Sequence, residues 1–239
     1  MTAFDQDKTH DGVLALRVGR LAGWVWSISG LIVAAGLLAD LVFLADPRDR
    51  FVLLAMELFN PDREMNIFAW YNTALLLVNA LLLLLAARVW RDSDPIIARG
   101  LHLLGWVFVL LSLDEMVSAH ERIGRELSHF LAGEQIVFAW IVPGTVFVLA
   151  VAAVVVPMLR RLPSRLFRQM LLAGAIFVGG AVGLEGLGWY VTHVDGGWTF
   201  RFLMLTWVEE SLEVAGLSVF LVALSRTIAA PGQSLRVID

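Results

Sequence analysis

Six apolar stretches decide what this chain can fold into. They cover about residues 17–45, 66–90, 101–119, 135–159, 168–193 and 200–225, and a helix needs roughly 20 apolar residues to cross a hydrocarbon core. Inside lipid every backbone N–H and C=O must find its partner within the segment, so such stretches are expected as helices. The fold class expected is therefore all-α, a polytopic membrane bundle of about six transmembrane helices. The third stretch is the shortest, because charges begin at Asp114. Breaks fall at Asp46-Pro47, Asn60-Pro61-Asp62, Asp94-Pro95, Leu162-Pro163-Ser164 and Asp195-Gly196-Gly197, all turn-forming sequences. Phe51 to Phe59 reads as a short helix lying at the interface. A polar tail (1–16), one six-helix domain (17–228) and a C-terminal tail (229–239) make up the expected organisation.

Composition supports a membrane environment. Hydrophobic residues are 59% of the chain and charged residues 17%, with a mean hydropathy of +0.76; a soluble domain needs more charge to cover its surface. Cysteine is absent, which excludes disulfides, thiolate metal sites and cysteine nucleophiles. Met1 to Arg20 is polar and acidic, unlike a cleavable signal peptide, so the first apolar run is expected to be a span.

Orientation follows from the basic residues. With a cytoplasmic N-terminus, twelve fall on that side (Lys8, Arg17, Arg20, Arg88, Arg91, Arg99, Arg160, Arg161, Arg165, Arg168, Arg226, Arg236) and six on the other. That bias places both termini in the cytoplasm of a bacterial inner-membrane protein. Most of the nine tryptophans, Trp198 among them, fall near span ends, where indoles favour the headgroup region.

Three spans carry acids that ordinary membrane packing does not explain. Asp114, Glu115 and Glu121 end the third, Glu185 lies in the fifth, and Glu209, Glu210 and Glu213 lie in the sixth. Helical periodicity puts Asp114, Ser118 and Glu121 on one face, and Glu209, Glu213 and Gly216 on another with Glu210 at its flank. Glu185 shares a stripe with Trp189 and Thr192, and Asn72 with Asn79 seven residues on. At about 1.5 Å rise per residue the acids reach similar depths, between the midplane and the outer surface. One shared pocket, open towards the periplasm, is the economical expectation.

An ionised acid at the bilayer centre costs about 2.5–3.5 kcal/mol, and no lysine or arginine lies centrally in any span. Protons or cations must supply the balance. Oxygen-rich sites suit hard divalent ions, and helix bundles with carboxylates and histidine also hold iron or manganese. The expected ligands are Asp114, Glu121, Glu185, Glu209, Glu210 and Glu213, with Glu115, His120, Ser118, Asn72, Trp189 and His193 as further site residues and iron, zinc, manganese or calcium as the metal. In an ideal helix His120 points away from the Asp114 and Glu121 face, so a bulge or kink is required to bring it in. Asp40 reads as interfacial, and His102 as a ligand only if helix ends fold favourably.

Leu113-Asp114-Glu115 and His120-Glu121, paired with Glu209-Glu210-Ser211-Leu212-Glu213-Val214-Ala215-Gly216, resemble a pattern of uncharacterised bacterial multi-pass membrane proteins with an "LDE…HE" span and a C-terminal "EExxExxG" span. The likeness covers roughly residues 60 to 225. It implies a shared intramembrane site and no particular chemistry.

The leading expectation is a membrane metalloprotein; were it an enzyme, the metal would activate water or oxygen against a lipid-like or other membrane-embedded substrate. A proton- or cation-coupled transporter is the alternative, although no internal repeat is evident. An accessory subunit offering its acids to a membrane-protein partner is the third. No phosphate loop or sequence-local hydrolase signature is present, and nucleic-acid binding is not expected.

Overall fold

Helix is the only regular structure that a single apolar segment can form in lipid, and the long apolar stretches take it. A computed structural model describes residues 18–131, 139–196 and 199–228. The tails expected at 1–16 and 229–239, the start of the fourth stretch at 135–138, Lys8, Arg17, Arg236, Gly197 and Trp198 lie outside these residues. Among the described residues the chain is helical and contains no strand. In order it forms α1 (Val18–Ala45), α2 (Arg50–Phe59), α3 (Ile67–Trp90), α4 (Pro95–Val117), α5 (Ala119–Leu131), α6 (Ile141–Leu159) and α7 (Ser164–Val178). A π-helical segment (Gly179–Leu184), α8 (Glu185–Asp195) and α9 (Phe200–Ile228) follow.

Five segments are long and apolar enough to cross a membrane: α1, α3, α4, α6 and the continuous run from α7 through α8. α9 is as long but carries Glu209, Glu210 and Glu213. The short interfacial helix expected at Phe51–Phe59 is α2. The third stretch starts earlier than its apolar run, because Asp94 caps the backbone N–H groups of Ile96 and Ile97 with Pro95 in the first turn.

Packing contacts fix the directions. Ser112 donates to the Thr73 carbonyl at 3.1 Å while Gly105 approaches Leu83 and Leu84, so α3 and α4 are antiparallel. Asn72 meets Glu213 and Asn79 meets the Leu217 carbonyl, so α3 and α9 run in parallel. α3 is the centre of the core, with Phe68, Leu76, Ala80 and Leu83 fully buried. Polar links lock neighbours around it: the Ser29 hydroxyl lies 2.7 Å from the Tyr71 hydroxyl and 2.9 Å from that of Ser218, and Trp207 Nε1 donates to the Val33 carbonyl at 2.9 Å. Such bonds hold membrane helices together where no hydrophobic force acts between them. By contrast, Leu31, Trp70, Val142, Val146 and Leu149 point outward and exposed, a surface suited to lipid and not to water.

The loop between α2 and α3 is stapled inward. Asn60 is buried, donating to Asp40 Oδ1 at 2.8 Å, and Asn66 donates to the Asn60 carbonyl at 2.7 Å while capping the Ala69 N–H at 2.9 Å. Met65 between them has φ of 56°, a left-handed conformation uncommon for such a residue. Replacing Asn66 with Ala removes the cap and the staple together. We expect a stability loss of about 1–2 kcal/mol, read as a lower Tm in detergent; an unchanged Tm would mean the loop is held by other contacts.

Candidate functional site

The third span does not stay one helix. α4 ends at Val117, Ser118 adopts a left-handed conformation (φ 51°, ψ 45°), and α5 restarts at Ala119 in a new direction. The face expected to join Asp114, Ser118 and Glu121 is therefore broken at Ser118, which is buried and serves as the hinge. The break delivers the kink that His120 required. Asp114 accepts from the His120 backbone N–H at 2.8 Å and holds its ring Nδ1 at 2.8 Å. One carboxylate thus fixes both the start of α5 and the imidazole orientation.

The stapled loop adds a residue that sequence reasoning missed, Glu64. Ligand atoms of Glu64, His120 and Glu121 all lie within 4.8 Å of one another. One oxygen of Glu64, Oε2, is buried with no hydrogen-bond partner among the described residues. Glu121 is also bonded to Arg125 at 3.2 Å, four residues on along an exposed face. Burial and the facing Glu121 raise the pKa of Glu64 above its ordinary value. Burial opposes a charge on His120, but the hydrogen bond and charge of Asp114, with Glu185 and Glu115 behind it, outweigh that and push its pKa up to about 9. Asp62, two residues before Glu64, is pushed up to about 7 by burial and by Glu121.

A second layer of acids faces this group from α4, α8 and α9. Asn72 donates to Glu115 Oε1 at 3.2 Å and to Glu213 Oε2 at 3.3 Å, bridging α4 and α9 across α3. Glu209 and Glu213 are each 8% exposed. Glu210 feels the charges of Glu213, Glu115, Glu209 and Glu64, and Glu209 those of Glu185, Glu213 and Asp62. The π-helical segment brings α9 close: a side chain at Gly180 would come within 2.8 Å of the Glu209 carbonyl and 3.2 Å of Glu213 Cγ. π-bulges of this kind re-aim the residues that follow, here Glu185. Its Oε1 accepts from Trp140 Nε1 at 2.6 Å, and the Trp140 ring lies edge-on to His120 with centroids 4.8 Å apart.

All six expected ligands thus share one region with Glu115, His120 and Asn72, but only Glu121 of those six belongs to the compact ligand group. Trp189 and His193 stay outside it: both are exposed, stacked on each other at 5.9 Å. His102, exposed and bonded to Trp106, is elsewhere as well.

The acids sit at one end of an apolar cavity of about 850 Å³ between α4, α6, α7 and α9, within the roughly 300–1,000 Å³ typical of small-molecule sites. Asp114, Glu115, His120, Trp140, Glu185 and Glu213 line its polar end, and Val148, Val151, Val155, Phe167, Leu171 and Phe220 are among its apolar walls. Polar groups converging on one end of an apolar pocket suit an amphipathic ligand.

A family model described as Domain of unknown function (DUF8692) matches residues 25–227. No curated protein and no solved structure matches the chain.

Proposed function

Because the chain belongs to this family of unknown function, its chemistry must come from the site, and we propose a multi-pass inner-membrane protein that binds a divalent metal ion and acts on a lipid-like substrate. α9 counts as the sixth span, both termini are cytoplasmic, and the carboxylates open towards the periplasm. The paired "LDE…HE" and "EExxExxG" segments supply most of the carboxylates of the site, to which Glu64 and Glu185 add theirs.

The observation that carries this reading is the Glu64, His120 and Glu121 group, whose His120 also lines the polar end of the cavity. Two features favour a cation there. Asp114 engages Nδ1 of His120, which leaves Nε2 as the ligand nitrogen, the arrangement by which carboxylates orient metal-binding histidines. Glu64 brings a buried oxygen without a hydrogen-bond partner among the described residues, and unpaired buried acceptors are rare unless something binds them. Mixed carboxylate and imidazole donors suit zinc, iron or manganese better than calcium. A metal held there supplies Lewis-acid activation of water or of a polarised head group. The surrounding chain does the rest. Asp114 orients the imidazole, Asn72 holds Glu115 and Glu213 in register, and Glu185, held by Trp140 beside the His120 ring, is the group placed to exchange a proton.

Elemental analysis of detergent-purified protein tests it. Wild type should carry zinc, iron or manganese at near one ion or two per chain, and a Glu64→Ala, His120→Ala double variant should lose it while remaining monodisperse. A metal-free wild type, purified without chelators, would overturn the reading and leave proton-coupled transport or a partner-binding groove as the use of the acids.

A further inference from the structure

The cavity has a shape and a chemistry that narrow its occupant. Along α6 its wall is a stripe from Trp140 through Phe147, Val151 and Val155 to Leu159, nineteen residue steps and so about 28 Å long at 1.5 Å per step. On the opposite wall, Phe167 to Glu185 spans about 27 Å by the same rise. Dividing about 850 Å³ by that length leaves a mean cross-section of about 30 Å². A hydrocarbon chain packed at contact distances of about 4.0–4.5 Å occupies roughly 20 Å², so at least one chain fits along it. An apolar space of this size beside lipid does not stay empty, since interiors are packed like organic solids.

Charge selects the head group. Among the described residues no lysine or arginine lines the cavity. Its polar end offers carboxylates from Asp114, Glu115, Glu185 and Glu213, and the indole N–H there already donates to Glu185. Four carboxyl groups there face the single His120 ring, so in the metal-free protein a head group that donates hydrogen bonds is favoured over an anionic one. The geometry points to this cavity as a slot for a long hydrocarbon chain ending in a hydroxyl or amine, which rests on the reading above and names the substrate class of the same site. The tail lies along α6 and α7, and the head donates hydrogen bonds among Glu185, Glu115 and Glu213, beside His120.

Gly174 on α7 gives a clean way to block the slot. It lines the cavity, and a Cβ added there meets nothing within 4 Å, so the side chain of Gly174→Phe starts in open space and extends into the slot. Ala152→Phe on α6 blocks the same slot from the facing wall. The experiment uses full-length protein in nanodiscs after EDTA treatment, with a diazirine-bearing hexadecylamine as photoprobe and mass spectrometry to read labelled residues. The expected result is labelling at Val151 and Val155, competed by hexadecylamine and hexadecanol but not by palmitate. Gly174→Phe and Ala152→Phe should each lower it at least about tenfold, with Gly174→Ala unchanged. Labelling confined to the outward residues Val142, Val146 and Leu149, or undiminished in both Phe variants, would overturn the slot. Competition by palmitate as strong as by hexadecanol would overturn the head-group assignment. Because metal is stripped beforehand, either failure beside a metal-loaded wild type falls on this inference and leaves the metal site standing.

Discussion

Gly216→Val is expected to cost about 3 kcal/mol, at the upper end for overpacking of a close-packed interface, and to lower the Tm by roughly 6–12 °C for a chain of this size. The reason is local and severe. A side chain at Gly216 would lie 2.8 Å from the Ala173 carbonyl, 2.8 Å from the Phe177 nitrogen and 3.0 Å from Phe177 Cβ. Two of those three atoms are backbone of α7, which cannot rotate aside as a side chain would. Small residues let membrane helices approach until their backbones touch, and Gly216 is where α9 does so against α7. Even Gly216→Ala meets the same two atoms, although alanine favours a helix by about 1 kcal/mol over glycine. Gly174→Ala, on the same helix pair but facing open space, is the control: its Tm should hold or rise slightly. The consequence reaches the site, because Glu213 lies one turn before Gly216, and pushing α9 away from α7 draws Glu213 from Asn72. Thermal unfolding in detergent, followed by size exclusion, decides it. A Gly216→Val variant within about 2 °C of wild type would mean that the α7 and α9 contact contributes little to stability.

Spans were the legible part of the sequence, because the bilayer imposes one length and one structure on any apolar segment. Asp94-Pro95 and Asn60-Pro61-Asp62 marked real helix ends, since capping and turn chemistry is written in adjacent residues. The gathering of acids from α4, α8 and α9 was legible for a related reason: charge in an apolar run is expensive anywhere except in a shared pocket. What stayed hidden depends on single backbone choices. Nothing in Met116-Val117-Ser118-Ala119 marks Ser118 as left-handed, yet that one residue turns His120 from a misdirected side chain into the partner of Asp114. Glu64 was missed because it belongs to a short polar loop that looks solvated. The signal that could have found it is Asp62, Glu64 and Asn66 crowded into one tight connection whose neighbour Asn60 is buried. Asp40, expected at an interface, is fully buried on Asn60, and Asn72, expected only as a further site residue, joins two carboxylates of different helices. Each of these is a tertiary pairing at long sequence separation, for which local pattern carries no sign.

Asp114→Asn is expected to weaken metal binding by about 10–100-fold, the usual effect of removing the carboxylate behind a metal-bound histidine, while leaving the fold nearly intact. Asp114 is a positioning residue here. Its Oδ1 caps the His120 backbone N–H and its Oδ2 holds Nδ1, both at 2.8 Å. Asparagine keeps one acceptor oxygen, so it still satisfies the N–H and the start of α5. It loses the negative charge and presents an amide N–H towards the ring, which favours the tautomer with the proton on Nε2, the nitrogen that the metal needs free. Asp114→Ala removes both bonds and should lower stability as well, by about 1–2 kcal/mol as for a lost cap, so the two variants separate orientation from folding. Affinity measured by chelator competition, with the Tm recorded in parallel, is the readout. Wild-type affinity in the Asn variant would mean that His120 does not bind through Nε2, and would leave the Asp114 and His120 pair as a structural hinge between α4 and α5. A loss of affinity with an unchanged Tm fits only a histidine that is itself a ligand, because a merely structural pair would move both quantities together.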